Sequence, residues 1–423
     1  MKKIMILSSK YTGHGHASIA QSITEQLNKY DDVRYEVIDG FELIGKTGIS
    51  LSKMYGPITR KAREFWKVSY AILDQHPRVL LSPMAAAIHD RFVKELNRFM
   101  PDLILTVHPF FNGSVMDLLE FYDLDIPVYA LQADIINIHG AWCDPRAALT
   151  LCPTQEAYDI SVQRGMPVEK LRVCGFPSRA QFTKAARTAE PCDFDGTRPL
   201  NCLLMSGGEG SGNLLKYASQ LLAYVDCNLS VICGRNEKIR QLLISELSGQ
   251  YGDRLQVYGF LDNVHEYMLK SDLIIARGSP NTLMEAVVLA VPLIITGSLP
   301  GQEADNPAVM VSHNLGVVCE NPEALPAVVH VLMRDGGKRL REIRNAQLEY
   351  RNLDVAQNIA ALIHDAAIST ERTAPQKRLM LLSNHDRRAL EDTFRRMKPK
   401  KSTKKPIKKP FKSYTKTKDR NVD

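Results

Sequence analysis

The sequence predicts an α/β protein of two lobes with a cleft between them and a disordered basic C-terminal tail, and three observations carry that expectation. Short apolar runs alternate with amphipathic helical stretches, which is the pattern of a parallel sheet covered on both faces. The pattern lapses once, over residues 176–199, and then restarts. Basic residues gather at the C-terminal end, where residues 371–423 hold 18 of the 54 Lys and Arg but 6 of the 47 Asp and Glu. That segment has a net charge of +12 and residues 1–370 a net of −5, so the overall +7 hides a mildly acidic body.

A chain of 423 residues, 44% apolar and 24% charged, is long enough for two or three domains and too apolar for wholesale disorder. No run reaches the ~18 to 20 apolar residues of a membrane-spanning helix. Met1-Lys2-Lys3 and the four apolar residues after them read as a first strand and not as a secretory signal. The eight cysteines contain no C-x-x-C pair, the usage of a reduced cytosolic protein and not of a zinc site or a disulfide framework.

The elements follow in order. A strand over 4–8 runs through a glycine turn into a helix over about 18–30, then a strand over 34–38. Residues 58–73 place Ile58, Ala62, Phe65, Trp66, Ser69, Ile72 and Leu73 on one helical face, with Arg60, Arg63 and Lys67 opposite. Such a basic amphipathic helix lies in a membrane interface or packs on its own lobe, and spacing leaves both open. Strands over 103–107 and 128–131 follow. The three prolines of 176–199 mark the linker. Beyond it a strand over 202–205 meets the glycine-rich run Gly207 to Gly212 and a helix, and strands over 229–233, 255–258, 273–276 and 293–296 come next. A last helix spans about 355–368. The division expected is a first lobe over 1–180, a second over 195–354, a closing helix over 355–370 and the tail over 371–423.

Three clusters carry chemistry. Gly13-His14-Gly15-His16 follows the first strand, where a glycine turn at a helix N-terminus lets a ligand approach bare backbone. The third glycine of a dinucleotide fingerprint is missing. Two histidines there suit a general base poised near neutral pH, although capping the helix is the plainer alternative. Arg277 to Glu285 (RGSPNTLME) opens a helix after the strand over 273–276; its free N–H groups suit a diphosphate and Glu285 suits ribose hydroxyls, with an ordinary capped helix as the alternative. Pro300-Gly301-Gln302-Glu303 and Asn306 gather amide and carboxylate groups on the next loop, as sugar-reading loops do. Asp123-Leu124-Asp125 is read as solvated loop acids and not a metal site, and Gly207 to Gly212 lacks the Lys-Ser/Thr of a P-loop.

Taken together, KYTGHGHASIA, DLILTVHPFFN, ADIINIHGAWCDP, CGFPSRAQF, LLMSGGEGSGN, CGRNEK, VYGFLDNV and LPGQEADN, in that order over about residues 1–368, resemble the monogalactosyldiacylglycerol synthase and processive diacylglycerol glucosyltransferase family. The resemblance implies a GT-B fold of two Rossmann-like lobes, with a lipid acceptor approached through the membrane-facing first lobe and a UDP-sugar bound by the second. It assigns His16 as catalytic base in a turn formed by Gly13 and Gly15, with Asp134 as the second catalytic candidate. Asp134, His139 and Trp142 match the acceptor-side motif. Gly15, Gly208, Gly259, Phe260, Arg277, Thr282, Glu285, Gln302, Glu303 and Asn306 are the donor-side positions. Where the family has K-A-G-P-G-T this chain has Arg277, Gly278, Ser279, Pro280, Asn281 and Thr282. Either the loop is adjusted, with a glycine shifted to Gly278, or donor binding is weakened.

The function expected is transfer of a hexose from a UDP-sugar to a diacylglycerol-type lipid, without metal or other cofactor. The partners expected are UDP-sugar, diacylglycerol or a related lipid, and an anionic membrane surface met by the tail and helix 58–73, with no nucleic acid. The location expected is cytoplasmic, peripheral at the inner face of the cell membrane. The alternatives are a sugar-nucleotide epimerase of the same architecture and N-acetylglucosaminyl transfer to another lipid-linked acceptor.

Overall fold

The computed structural model describes residues 1–10, 15–189, 194–205 and 213–367. Gly13, His14, Gly208 and the tail therefore lie outside the described residues, as do the side chains of Ile58, Phe65 and Trp66.

In the first lobe β1 (Lys2–Ser8) leads through α1 (Gly15–Leu27) to β2 (Val33–Asp39). Four helices follow: α2 (Gly40–Ile44), α3 (Lys46–Lys61), α4 (Arg63–Gln75) and α5 (Arg78–Phe99). Then come β3 (Leu103–Thr106), α6 (Pro109–Phe121), β4 (Val128–Leu131), β5 (Leu149–Cys152), α7 (Gln155–Gln163) and β6 (Leu171–Val173). Helix α8 (Ala180–Thr188) links the lobes.

The second lobe begins with β7 (Leu200–Met205), α9 (Leu214–Tyr224) and β8 (Cys227–Ile232). Helix α10 (Glu237–Leu243) passes through a π-helical stretch into the one-turn α11 (Gly249–Tyr251). After β9 (Leu255–Tyr258) and α12 (Val264–Leu269) come β10 (Leu273–Ala276), α13 (Pro280–Leu289) and β11 (Leu293–Ile295). The lobe ends with α14 (Asn306–Ser312), β12 (Val317–Val318) and α15 (Leu325–Tyr350), and α16 (Val355–Ala366) follows.

Both sheets have six strands and every pairing is parallel, in the orders β2-β1-β3-β4-β5-β6 and β12-β11-β10-β7-β8-β9. Ile4 to Leu7 and Leu273 to Ile275 are wholly buried, which is why these strands read as unbroken apolar runs instead of alternating ones. The strand order reverses between β1 and β3 in one lobe and between β7 and β10 in the other. In a doubly wound sheet a ligand crevice opens at the carboxyl ends of such strands.

The structure departs from the sequence expectation in four places. Helix 58–73 is not one helix: the backbone leaves helical geometry at Ala62 (φ −126°, ψ 51°) between α3 and α4. Tertiary contacts hold the second piece, since Asp74 accepts from the Gly140 N–H at 2.7 Å and pairs with Arg164 at 2.9 Å. The expected linker contains α8, whose Ala-rich stretch lies between Pro177 and Pro191. The strands β5, β6 and β12 were not foreseen, being two to four residues long. Helix α1 starts at Gly15, ahead of the expected start near 18.

Helix α16 turns back onto the first lobe. Its Val355, Ala356, Ile359, Ala360 and Ile363 share one buried cluster with Ile4, Ile19 and Ile23. The Lys2 ammonium donates to the His364 carbonyl at 2.7 Å, and Tyr30 stacks on the His364 ring at 4.3 Å.

Candidate active site

His16 sits in the first turn of α1, just beyond the end of β1, and is 7% exposed. Its Nδ1 lies 2.6 Å from the carbonyl oxygen of Val107, the residue after β3. A carbonyl only accepts, so Nδ1 carries the proton and Nε2 keeps its lone pair. Burial pushes the imidazole down to about 4, against the opposing pull of the Val107 bond. The neutral-range value that two histidines on a turn would have on a surface is therefore corrected downward: His16 is a free base throughout the physiological range. His108, which begins α6, packs its ring 4.4 Å from that of His16. Burial, and then the neighbouring His16, hold His108 well below the ordinary histidine value. Sequence reasoning misses His108 as a site residue; its signal is the strand–His–Pro–helix pattern in DLILTVHPFFN.

Asp134 lies beyond β4 and faces the other lobe. Trp142 Nε1 donates to one of its carboxylate oxygens at 2.9 Å, and Gln302 Nε2, from the loop after β11, donates to the other at 3.3 Å. Burial raises the Asp134 carboxyl to about 6; the Trp142 and Gln302 bonds work against that rise and Glu303 adds to it. Trp142 is fully buried and His139 is 3% exposed. His139 Nδ1 accepts from the Ala141 N–H at 3.0 Å, capping the 3-10 turn that carries Trp142, and its ring meets Tyr70 of α4 edge-on at 4.9 Å. These two acceptor-motif residues thus shape the first lobe from inside, and Asp134 is the member of the three that reaches the second lobe.

On the second lobe the candidate residues line the loops at the carboxyl ends of the strands. After β9, a Cβ at Gly259 would make ordinary contact with Arg240 and the Gly234 carbonyl at 3.8 Å, and Phe260 is 47% exposed, with the Arg235 guanidinium 4.8 Å over its ring. After β10, Arg277 pairs with Glu303 at 3.3 Å, and Glu303 also accepts from the Leu299 N–H at 2.9 Å. Burial raises the Glu303 carboxyl, with Arg277 opposing. Gly278 is closely packed: a Cβ there would lie 3.2 Å from Ile295 and 3.3 Å from the Gly297 carbonyl. Asn306 is fully buried and donates to the Gly278 carbonyl at 2.9 Å, while its Oδ1 has no hydrogen-bond partner among the described residues. Ser279 makes no side-chain cap on α13; its hydroxyl donates to Thr282 at 3.0 Å instead. The first-turn N–H groups of α13 are left for something else to accept from. Glu285, one turn in, is 8% exposed and pairs with Arg179 at 2.9 Å.

The lobes touch around this cleft. A Cβ at Gly15 would come within 2.8 Å of Asn281 Nδ2, so the N-terminal ends of α1 and α13 face each other with one amide between them. Asn137 and Asp305 exchange bonds across the mouth, at 2.8 Å from Asn137 Nδ2 and 3.0 Å to Asn137 Oδ1. Among the described residues no group of three or more His, Cys, Asp and Glu is placed to hold a metal ion.

A family model for monogalactosyldiacylglycerol synthase matches residues 16–177, and one for the glycosyltransferase family 28 C-terminal domain matches residues 212–329. Monogalactosyldiacylglycerol synthase 1, chloroplastic, of Arabidopsis thaliana is 27% identical over 391 residues, covering 86% of this chain and 70% of its own. The chloroplastic synthase of Spinacia oleracea is 27% identical over 392 residues, 86% of this chain and 72% of its own. Among solved structures, MurG of Acinetobacter baumannii superposes with a TM-score of 0.56 at 16% identity, over 86% of this chain and all of that one. The UDP-GlcNAc 2-epimerase of Neisseria meningitidis bound to UDP-GlcNAc gives 0.54 at 15% identity, over 86% and 100%. The two structural likenesses establish the two-lobed GT-B fold. The two family models fall one on each side of the cleft, and over most of its length the chain is similar to monogalactosyldiacylglycerol synthases.

Proposed function

We propose that the chain is a hexosyltransferase that moves a sugar from a UDP-hexose to a diacylglycerol-type lipid. The observation that carries this reading is the match of the synthase family model to residues 16–177, the lobe that holds His16, whose Nε2 keeps its lone pair. His16 takes the proton of the acceptor hydroxyl as that oxygen displaces the nucleotide diphosphate at the anomeric carbon. The uncapped first turn of α13 and the Arg277 guanidinium offset charge on the departing diphosphate, Arg277 being partly neutralised by Glu303. The exposed Phe260 ring offers a stacking face for a base. Asn306 Oδ1 is a buried acceptor waiting for a hydroxyl. Fixed donors of this kind stabilise the leaving group without a metal, and none is proposed.

The enzyme works as a peripheral protein at the cytoplasmic face of a membrane. Among the described residues no helix is long and apolar enough to cross one. On α4, Val68 and Ile72 are 57% and 55% exposed, apolar surface that a lipid interface would cover. The epimerase alternative has in its favour a fold likeness at 15% identity, which speaks to architecture and not to chemistry. Incubation with UDP-glucose, UDP-galactose and UDP-N-acetylglucosamine in the presence and absence of diacylglycerol, followed by mass spectrometry of lipids and nucleotide sugars, tests the reading. The expected product is a hexosyl-diacylglycerol. An isomerised nucleotide sugar formed without lipid, and no glycolipid, would overturn it.

A further inference from the structure

Glu285 is a carboxylate with an unusual keeper. It sits inside the second lobe on α13, yet its ion-pair partner, Arg179, stands at the start of α8 in the segment that joins the lobes, 106 positions away in sequence. Arg179 Nη2 donates to one carboxylate oxygen of Glu285 at 2.9 Å, and no hydrogen bond of Glu285 besides this one is found among the described residues. The guanidinium is itself fixed, its carbon 4.9 Å over the ring of Phe182 one turn further along α8. Two buried polar atoms of the same segment, Arg179 Nε and Ser178 Oγ, have no hydrogen-bond partner among the described residues. Unpaired buried donors beside a half-used carboxylate mark a place where a ligand's hydroxyl groups would complete the bonding.

We propose that Arg179 is a positioning residue for the nucleotide site: from the hinge, its guanidinium holds the Glu285 carboxylate charged and aimed so that the remaining oxygen accepts from the vicinal hydroxyls of a nucleotide ribose. The inference rests on the donor-site reading above and extends it to a residue outside the second lobe. Desolvation raises the Glu285 carboxyl, and Arg179 opposes the rise by charge and by hydrogen bond. Of the other titratable groups around α13, His16 is on the Val107 carbonyl, Arg344 on the Ala290 carbonyl and Arg351 on the Val288 carbonyl, while His265 lies against Phe182 with a buried Nδ1 that has no hydrogen-bond partner among the described residues. Loss of Arg179 removes the cation paired with this buried carboxylate, and the carboxyl then titrates nearer to neutrality.

The test is calorimetric titration of the full chain with a UDP-hexose, whose diphosphate diester does not titrate near neutrality, at several pH values for wild type, Arg179→Met, Arg179→Lys and Glu285→Gln. Arg179→Met is expected to bind about tenfold more weakly at neutral pH, the size of effect lost with one charge-assisted hydrogen bond. Its affinity should recover as pH rises and Glu285 ionises. Arg179→Lys keeps the charge but not the stacked fork and should fall between wild type and Arg179→Met at neutral pH, with less pH dependence than Arg179→Met. Adding Glu285→Gln to Arg179→Met should erase the pH dependence. Arg179→Met that binds like wild type at every pH, or is weaker by the same factor at every pH, overturns the role of Arg179 alone. Wild-type protein that binds no UDP-hexose, or Glu285→Gln that binds as tightly as wild type, overturns the donor reading on which it rests.

Discussion

The Val107 carbonyl takes the Nδ1 proton of His16, and burial then keeps the ring neutral down to about 4, so His16 is ready to accept a proton at any pH the cell offers. Asp134 behaves in the opposite way, because desolvation penalises its charged form and raises the carboxyl to about 6. The acid limb of transfer is therefore expected near pH 6 and from Asp134, with His16 contributing only nearer 4. The Trp142 N–H favours the charged carboxylate, so removing it should raise the carboxyl further. Trp142→Phe is expected to move the acid limb of the turnover profile to higher pH; a limb at the wild-type position would mean that Asp134 does not govern it. His16 was legible in the sequence because a glycine turn after a first strand is local. Glu285 was legible as an acid one turn into a helix, but its partner Arg179 was not, since nothing local ties residues 106 positions apart. The same holds for Gln302 and Asp134, 168 positions apart and joined only by the meeting of the lobes.

Helices and strands were legible in proportion to their length and apolar continuity. Strands such as β1, β3, β7 and β10 announce themselves because a buried parallel strand is apolar at every position. The break at Ala62 has no local signal, alanine being the best helix former, and it follows from where α4 docks. Helix α8 hid among prolines that bracket it without entering it. The last helix was expected from its periodicity, and the structure gives it a task, since α16 buries Ile359 and Ile363 against β1 and α1. Ile359→Ala is expected to cost about 2 to 5 kcal/mol from the cavity it leaves. Thermal denaturation should register this as a lowered first transition, and a melting temperature equal to wild type would show that α16 does not brace the first lobe.

At the scale of the molecule, two sheets present the carboxyl ends of their central strands to one cleft. The cleft is spanned by Gln302 with Asp134 and by Asn137 with Asp305. The basic tail is expected to add a second kind of recognition. Residues 398–423 hold eleven Lys and Arg against two Asp, and each basic residue near an anionic leaflet contributes about 1 kcal/mol, fading beyond a Debye length of ~8 to 10 Å. Truncation after Thr370 is expected to leave turnover on detergent-dispersed lipid close to wild type and to weaken binding to anionic liposomes. Equal liposome binding by both forms at low salt would remove the tail from membrane contact. The central claim is a division of labour: the second lobe holds the UDP-hexose and the first supplies the base. His16→Ala separates the two in a single variant, read as UDP-hexose affinity beside the rate of glycolipid formation. The expected result is affinity close to wild type with turnover lower by about 10² to 10⁴. Turnover within about threefold of wild type, set against that general-base range, would contradict the account.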